Sequence, residues 1–194
     1  NIGGTTVSRA TLHNLDEIKR LELKIGDTVI VGRAGDVIPD VKKVLKELRT
    51  GKEKEFRMPK YCPACREPVE RSAEQVAYKC VNKHCPPIRR EAIYHFVSRK
   101  AFNIDGVGPK IIDQLMDVAL INDAADLFTL KKEDLLNVER FAEKSADNAI
   151  KALRDKKKVS LNKFIYSLGI DHVGEETAFT LAKKFKKLDN IKKA

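Results

Sequence analysis

The 194-residue sequence contains no tryptophan, only four tyrosines and eight phenylalanines, and no cysteine outside one short segment. Without tryptophan the core is aliphatic, with scattered phenylalanine. The low aromatic content also argues against an RNA-binding zinc ribbon, which would draw on more stacking residues. There is no run of 18 apolar residues, so no membrane-spanning helix and no membrane partner are expected. No signal peptide opens the chain, and Asn1-Ile2-Gly3-Gly4, without methionine, reads as a cut within a longer sequence. Catalytic groupings are lacking too. His13, His84, His95 and His172 have no serine, cysteine or carboxylate partner at a catalytic spacing. The acidic residues fall into amphipathic helix patterns, where a solvated face is the default. No residue is assigned a catalytic role.

What the sequence has in excess is positive charge. Lys plus Arg number 38 against 28 Asp plus Glu, a formal net charge of +10. A basic chain of this size points to a polyanionic partner, nucleic acid above all, although a merely basic soluble protein has the same balance.

The four cysteines are Cys62, Cys65, Cys80 and Cys85, spaced C-x2-C, fourteen residues, C-x4-C. Thiolates bind zinc tetrahedrally, and a two-residue gap lets one tight knuckle supply two of the four ligands. The alternatives are two disulfides or four unrelated buried thiols. His84 could replace its neighbour Cys85 as fourth ligand, but four cysteines with none left over favour Cys85 and leave His84 facing solvent. Zinc-type spacing fits a reducing compartment, the cytoplasm or nucleus, and the cytoplasm is the expected location.

Three compositional regions follow one another. Residues 1–60 are rich in strand signals: β-branched Thr5-Thr6-Val7, then Thr28-Val29-Ile30-Val31 after a Gly26-Asp27 turn, then Val37-Ile38-Pro39 after Gly35-Asp36. Asn14 can cap a short helix to Leu21 with Leu15, Ile18 and Leu21 on one face. Pro39 demotes its strand to an edge or a bulge. Three strands are too few to close a barrel, and Lys52 to Lys60 reads as a linker. Residues 61–86 form the cysteine module, closed by Pro86-Pro87 and too small for an apolar core of its own, so that metal would supply its folding energy. Residues 87–194 are helical, beginning with a helix from Arg89 to Lys100 that carries Ala92, Ile93, Phe96 and Val97 on one stripe.

This last region repeats itself. Val107-Gly108-Pro109-Lys110-Ile111-Ile112-Asp113-Gln114-Leu115 aligns with Phe141-Ala142-Glu143-Lys144-Ser145-Ala146-Asp147-Asn148-Ala149 and with Val173-Gly174-Glu175-Glu176-Thr177-Ala178-Phe179-Thr180-Leu181. Each copy follows an apolar helical segment, which gives helix, tight hairpin and helix three times. A Gly-rich hairpin feeding a helix leaves the first backbone N–H groups unpaired at the positive end of the dipole, where a phosphate can sit without any base being read. Gly106, Gly108, Lys110, Gly169 and Gly174 are the candidate DNA-backbone residues, and the alternative is a bundle whose repeats only pack together. In the second copy Ala142 replaces glycine and Glu143 adds repulsive charge, so that copy is expected to be structural. Asn103-Ile104-Asp105-Gly106 superficially resembles the Lys-x-Asp-Gly nucleotidyl-transfer motif. Asparagine at the nucleophile position cannot form a lysyl adenylate, so the string belongs to the first hairpin.

Several longer strings carry a family resemblance. Gly4-Thr5-Thr6-Val7-Ser8-Arg9-Ala10-Thr11-Leu12-His13-Asn14 and Arg33-Ala34-Gly35-Asp36-Val37-Ile38-Pro39 look like signature strings of bacterial NAD-dependent DNA ligases. So do His95-Phe96-Val97-Ser98-Arg99, Lys110-Ile111-Ile112-Asp113-Gln114-Leu115, Ala125-Asp126-Leu127-Phe128, and Leu168-Gly169-Ile170 followed by Val173-Gly174-Glu175. The resemblance implies a multi-domain α+β chain. Its parts would be a partial OB-fold β-barrel over 1–60, a small four-cysteine zinc module (a zinc finger) over 61–86, and an all-α tandem helix-hairpin-helix domain over 87–194 with three of the family's four hairpins. It further implies the DNA-encircling part of a nick-sealing enzyme of replication and repair, whose adenylation lysine lies elsewhere. NAD and magnesium would be bound mainly outside these residues. Arg33, Val37 and Ile38 would contact the minor groove near the nick; the alternative is that Val37 and Ile38 are ordinary strand residues facing a core, where periodicity lets only one of the two face inward. The implied partners are nicked duplex DNA and the adenylation domain of the same polypeptide, with the protein acting as a monomer. A stand-alone hairpin-and-zinc DNA-binding module of another repair protein is the alternative.

Overall fold

A computed structural model describes residues 6–34, 38–71, 76–139 and 141–194. The chain divides into two compact units, 1–82 and 83–194.

The first unit is built from short antiparallel pairs. Asn14 caps α1 (Leu15–Arg20), its Oδ1 accepting the Glu17 N–H at 3.0 Å. β1 (Lys24–Ile25) follows. The expected strand at Thr28 becomes β2 (Val29–Ala34), paired with β3 (Ile38–Val44). The register of this pair shifts between Ile30 and Val31, a bulge that leaves Lys42 without a direct partner and exposed, between buried Asp40 and Val44. Pro39 needs no ladder donor of its own, and its carbonyl accepts the Thr11 N–H at 2.8 Å. That bond anchors the segment before α1, where Thr6 and Val7 are not in a strand. The Gly35-Asp36 turn and Val37 lie outside the described residues.

The stretch expected as a linker instead carries β4 (Lys54–Glu55), which pairs with β1. Composition hides this strand because Lys54 and Glu55 are both charged and exposed, and backbone pairing holds it. No closed barrel exists among the described residues, in keeping with a partial OB-fold. The apolar interior is small: among the described residues, Leu15, Val44 and Cys62 are its buried hydrophobic residues.

Ion pairs take up part of the work. Arg49 donates to both Asp27 oxygens at 2.7 and 2.8 Å and to the Glu22 carbonyl at 2.7 Å, fastening the turn before β2 to the end of α1. Arg71 grips Asp16 on α1 with two bonds of 2.9 and 2.7 Å.

The second unit begins with α2 (Pro86–Val97), three residues earlier than the sequence suggests. Pro86 and Pro87 open this helix rather than close the cysteine module, because the first turn needs no N–H donors and proline's fixed φ suits it. Ile93 and Val97 are buried, while Ala92 is exposed. Then come α3 (Pro109–Asp117), a 3-10 turn (Asp126–Phe128), α4 (Lys132–Leu136), α5 (Glu143–Asp155), α6 (Leu161–Ser167), α7 (Glu175–Phe185) and α8 (Leu188–Lys192). One core unites the elements from α2 to α5, including Phe102, Ile112, Leu115, Ile121, Leu127 and Leu135. Phe96 stacks on Phe102 at 4.0 Å, and Phe128 meets both rings. No helix of the described residues is long and apolar enough to cross a membrane.

The Asp27–Arg49 pair predicts acid sensitivity in the first unit. Its hydrogen bonds to Arg49 pull the Asp27 pKa from 3.8 to about 2. Asp16 and Glu22 are likewise held low, chiefly by Arg71 and Lys46. A carboxyl depressed in the folded state stabilises it above the unfolded pKa and loses that contribution as pH falls through the folded value. The strands of the first unit are therefore expected to lose amide dispersion between about pH 4 and 2 in NMR spectra. Arg49→Ala moves that loss to higher pH and lowers the thermal midpoint by several degrees; an unchanged acid midpoint would show the pair to be energetically idle.

Candidate metal centre and nucleic-acid interface

The two cysteine half-sites are built differently. Cys62 and Cys65 sit on a tight knuckle. The Cys62 carbonyl accepts the Arg66 N–H at 2.9 Å, and Arg66 turns the chain with a left-handed φ of 65°. β5 (Val69–Glu70) pairs with β6 (Lys79–Cys80), which ends on the third cysteine. Cys85 caps α2. All four Sγ atoms lie within 4.8 Å of one another, Cys65 and Cys80 at 3.4 Å, and none is in a disulfide. Zn–S bonds of ~2.3 Å in a tetrahedron put the sulfurs ~3.8 Å apart, so this donor set fits zinc. With all four positions filled by protein, such an ion has a structural role. His84 is exposed and stands outside the sulfur cluster.

The three sequence repeats are three copies of one backbone device. Each hairpin closes with an i→i−3 bond: Val107 to Ile104 at 3.4 Å, Phe141 to Val138 at 3.2 Å, Val173 to Ile170 at 3.0 Å. The next residue, Gly108, Ala142 or Gly174, is the extended N-cap of α3, α5 or α7. Four residues on, the N–H of Ile112, Ala146 or Ala178 bonds back to the cap carbonyl at 2.9–3.0 Å, and each of these three side chains is fully buried.

Beyond this shared frame the second copy departs. Asn103 and Gly106 in the first copy, and Gly169 and His172 in the third, have positive φ at matching positions. Asn137, which aligns with Asn103 and Gly169, is right-handed at −83°, and Arg140 lies outside the described residues. The Ala142 N–H is also taken internally, by Ser145 Oγ at 2.9 Å.

Gly108 and Gly174 have φ of −96° and −76°, and a Cβ on either would meet nothing within 4 Å. Neither conformation nor internal packing calls for glycine there.

Charge separates the first copy from the third. Lys110 stands exposed in the first turn of α3, which has no acid, whereas α7 opens with Glu175 and Glu176. Like Glu143 in the second copy, these repel a phosphate, a cost that inspection of the glycines alone overlooks. Lys100 pairs with Glu175 at 3.0 Å and offsets part of it. The first hairpin is braced by Arg90, which donates to Asp113 at 2.6 Å and to Asp117, and by the Tyr94 hydroxyl on Asp113. Those bonds hold Asp113 below its ordinary range and raise Arg90 and Tyr94. Lys132 similarly ties α4 to Asp147 on α5 at 2.9 Å. His95 is a packing residue, its Nε2 bonded to the Tyr166 carbonyl at 2.7 Å.

Of the groove-contact residues, Arg33 lies in β2 opposite Pro39 and Ile38 opposite Ala34. Ile38 is 56% exposed, so it is a surface residue and not part of the core.

Comparison with known proteins matches separate segments of the chain. Residues 1–53 match the family model of the NAD-dependent DNA ligase OB-fold domain, and 61–86 that of the NAD-dependent DNA ligase C4 zinc finger domain. Residues 99–155 match a SAM-like helix-hairpin-helix tandem and 163–194 a helix-hairpin-helix motif. A DNA ligase of Halothermothrix orenii is 54% identical over 194 residues, all of this chain and 29% of the relative. A DNA ligase of Desulfitobacterium hafniense is 49% identical over 193 residues, 29% of its length, and one of Listeria innocua 50% over 191 residues, 28% of its length. The chain thus spans under a third of these relatives.

Elemental analysis of protein purified without chelator is expected to find zinc at ~1 per chain. Chelation or Cys80→Ser should collapse the amide dispersion of residues 61–85 while the core of α2 to α5 persists. Disulfides at these cysteines, or metal-free protein with the module intact, would contradict the assignment.

Proposed function

We propose, for a chain that belongs to the NAD-dependent DNA ligase family, that it is the DNA-gripping clamp of a nick-sealing enzyme and holds nicked duplex without reading its sequence. Its parts are the partial OB-fold over 1–60, the zinc module over 61–86 and the hairpin domain over 87–194. One observation carries the reading: Gly108 and Gly174 are open, extended helix caps where glycine has no internal purpose. A phosphate approaching the first N–H groups of α3 or α7 needs that space. Gly106 and Gly169 turn the hairpins with positive φ, and Lys110 adds charge beside the first cap. The net charge of +10 supports a polyanionic partner. The first hairpin is the stronger grip, because its first turn is free of acid.

In the same reading Arg33, Val37 and Ile38 enter the minor groove beside the nick. An exposed isoleucine on the strand paired with that of an arginine suits a widened minor groove. The residues supply no adenylation lysine, since Asn103 stands at the matching position of the only similar string. NAD and magnesium belong to the partner adenylation domain of the same polypeptide. Holding both sides of the nick lets the 3′-hydroxyl and the activated 5′-phosphate meet in line, an effect of positioning rather than of chemistry by these side chains. The enzyme acts as a monomer in the cytoplasm, where zinc-type thiols stay reduced.

Duplex binding is expected to vary little with sequence and to weaken steeply with salt. Losing a charge-assisted contact costs ~1.5–3 kcal/mol, so Gly108→Asp should weaken binding roughly 10- to 100-fold. Gly174→Asp should cost less and Ala142→Asp least, as measured by fluorescence anisotropy on a nicked duplex. Equal affinity in all three would make the hairpins packing elements only.

A sealing assay addresses the enzyme assignment. Mixed with the separate adenylation domain, this chain should raise nick sealing, and Arg33→Ala should cut that gain while leaving enzyme adenylation unchanged. Covalent AMP on this chain alone would overturn the assignment. A lack of gain on mixing would favour a stand-alone DNA-binding module.

A further inference from the structure

The β2–β3 pair contains a close approach that its ladder does not require. Lys42, at the bulge, has no direct partner on β2, and its side chain turns back along the pair. A Cβ built on Gly32, the residue paired with Asp40, would come 2.9 Å from both Cγ and Cε of Lys42. Real contacts are not that short, so glycine is what lets the lysine chain lie flat on β2. The Lys42 Nζ ends 2.9 Å from Asp40 Oδ2. Asp40 is buried, and its other oxygen has no partner among the described residues, so Lys42 is what balances this carboxylate. The lysine is not enclosed in turn, since its side chain is 50% exposed. An ammonium has three donors, and Asp40 takes one of them. Ile38, exposed at the start of β3, lies two residues before Asp40 and shares its face. Two residues of strand span ~7 Å and four span ~13 Å, so the folded-back chain brings its cation about one pleat from Ile38.

We propose that Lys42 is a DNA-backbone residue, aimed by Gly32 and Asp40 so that its ammonium meets a phosphate on the wall of the minor groove that Ile38 enters. The inference rests on the placing of Ile38 in that groove and adds a contact to it. The minor groove of ordinary duplex is ~6 Å wide, so the phosphates of its walls are within reach of a cation ~7 Å from a side chain inserted between them. Asp40 and Gly32 are positioning residues. A long lysine chain loses rotamer freedom when a ligand fixes it, whereas this chain is already fixed across Gly32 before DNA arrives. The phosphate takes donors that Asp40 leaves to solvent, so the ion pair persists in the complex and the buried carboxylate stays balanced.

The test is fluorescence anisotropy on a labelled nicked duplex over a series of salt concentrations. Lys42→Met keeps an unbranched chain over Gly32 and removes the charge. It should lower the slope of log K against log salt by about 0.9, the value of one phosphate contact, and weaken binding about fivefold to tenfold at ~0.1 M salt. Lys54→Met, the same loss of charge on exposed β4, should leave the slope unchanged. Gly32→Ala keeps every charge but drives Lys42 from its path, and should reduce the slope as far as Lys42→Met does. Lys42→Met decides alone if Gly32→Ala fails to fold. A lysine that only covers Asp40 would lower the thermal midpoint of Lys42→Met without moving the slope, and that outcome overturns the proposal. So does an equal change of slope in Lys54→Met, which would reduce Lys42 to its share of the net charge. Gly108→Asp in the same assay separates this inference from the clamp reading. If Gly108→Asp weakens binding while Lys42→Met keeps the slope, the hairpins hold DNA and the strand contact is wrong; if neither variant has any effect, both are wrong.

Discussion

Each hairpin of the second unit depends on one coupled pair: an extended cap residue and, four positions later, a buried side chain whose own N–H bonds to the cap carbonyl. Ile112, Ala146 and Ala178 are the buried partners, none with any exposed surface. Burying that residue sets the rotation of its helix against the protein. The bond to the cap fixes where the helix starts. Together they decide which way the first unpaired N–H groups can face, and so determine the geometry of the interface before any ligand arrives. The size of the buried group varies from alanine to isoleucine, while the bond length stays at 2.9–3.0 Å. The frame tolerates a change of packing partner but not a change of register.

The same frame serves different ends in its three copies. The first leaves its cap open and surrounds it with Lys110 and no first-turn acid. The second closes its cap with Ser145 and loses one left-handed position. The third keeps the open cap and both left-handed positions but opens its helix with two glutamates. Two of the copies also contribute to the shared core through several residues, whereas α7 contributes Ala178 alone to the buried set.

The first unit rests on different forces. Its buried apolar residues are few, its strand pairs are short, and several large aliphatic side chains, Ile25, Ile30, Ile38 and Leu48, stay exposed. Local order comes from fixed polar links: the Asn14 cap, Arg49 on Asp27, Arg71 on Asp16, and the clustered sulfurs of Cys62, Cys65 and Cys80. Such links are sensitive to pH and to metal in a way that the aliphatic core of the second unit is not.

Much of this is legible in the residues. Local spacing is enough to specify a four-thiolate site, because the knuckle and the short strand pair close over a few residues. The three hairpins can be aligned to the residue, since cap, polar turn and apolar stripe recur in one order. The start of α2 is misplaced by sequence because proline reads as a stop, although in a first turn it is a start. β4 escapes notice because two charged, exposed residues, Lys54 and Glu55, have no apolar alternation. Tertiary structure alone decides that the Gly108 and Gly174 caps are open while Ala142 is bonded to Ser145, that Ile38 faces outward, and that Lys42 lies across Gly32 to reach Asp40. Sequence determines which backbone device forms, because turns and caps are local. Which of its surfaces remain uncovered depends on packing between residues far apart in the chain, and only the fold brings those together.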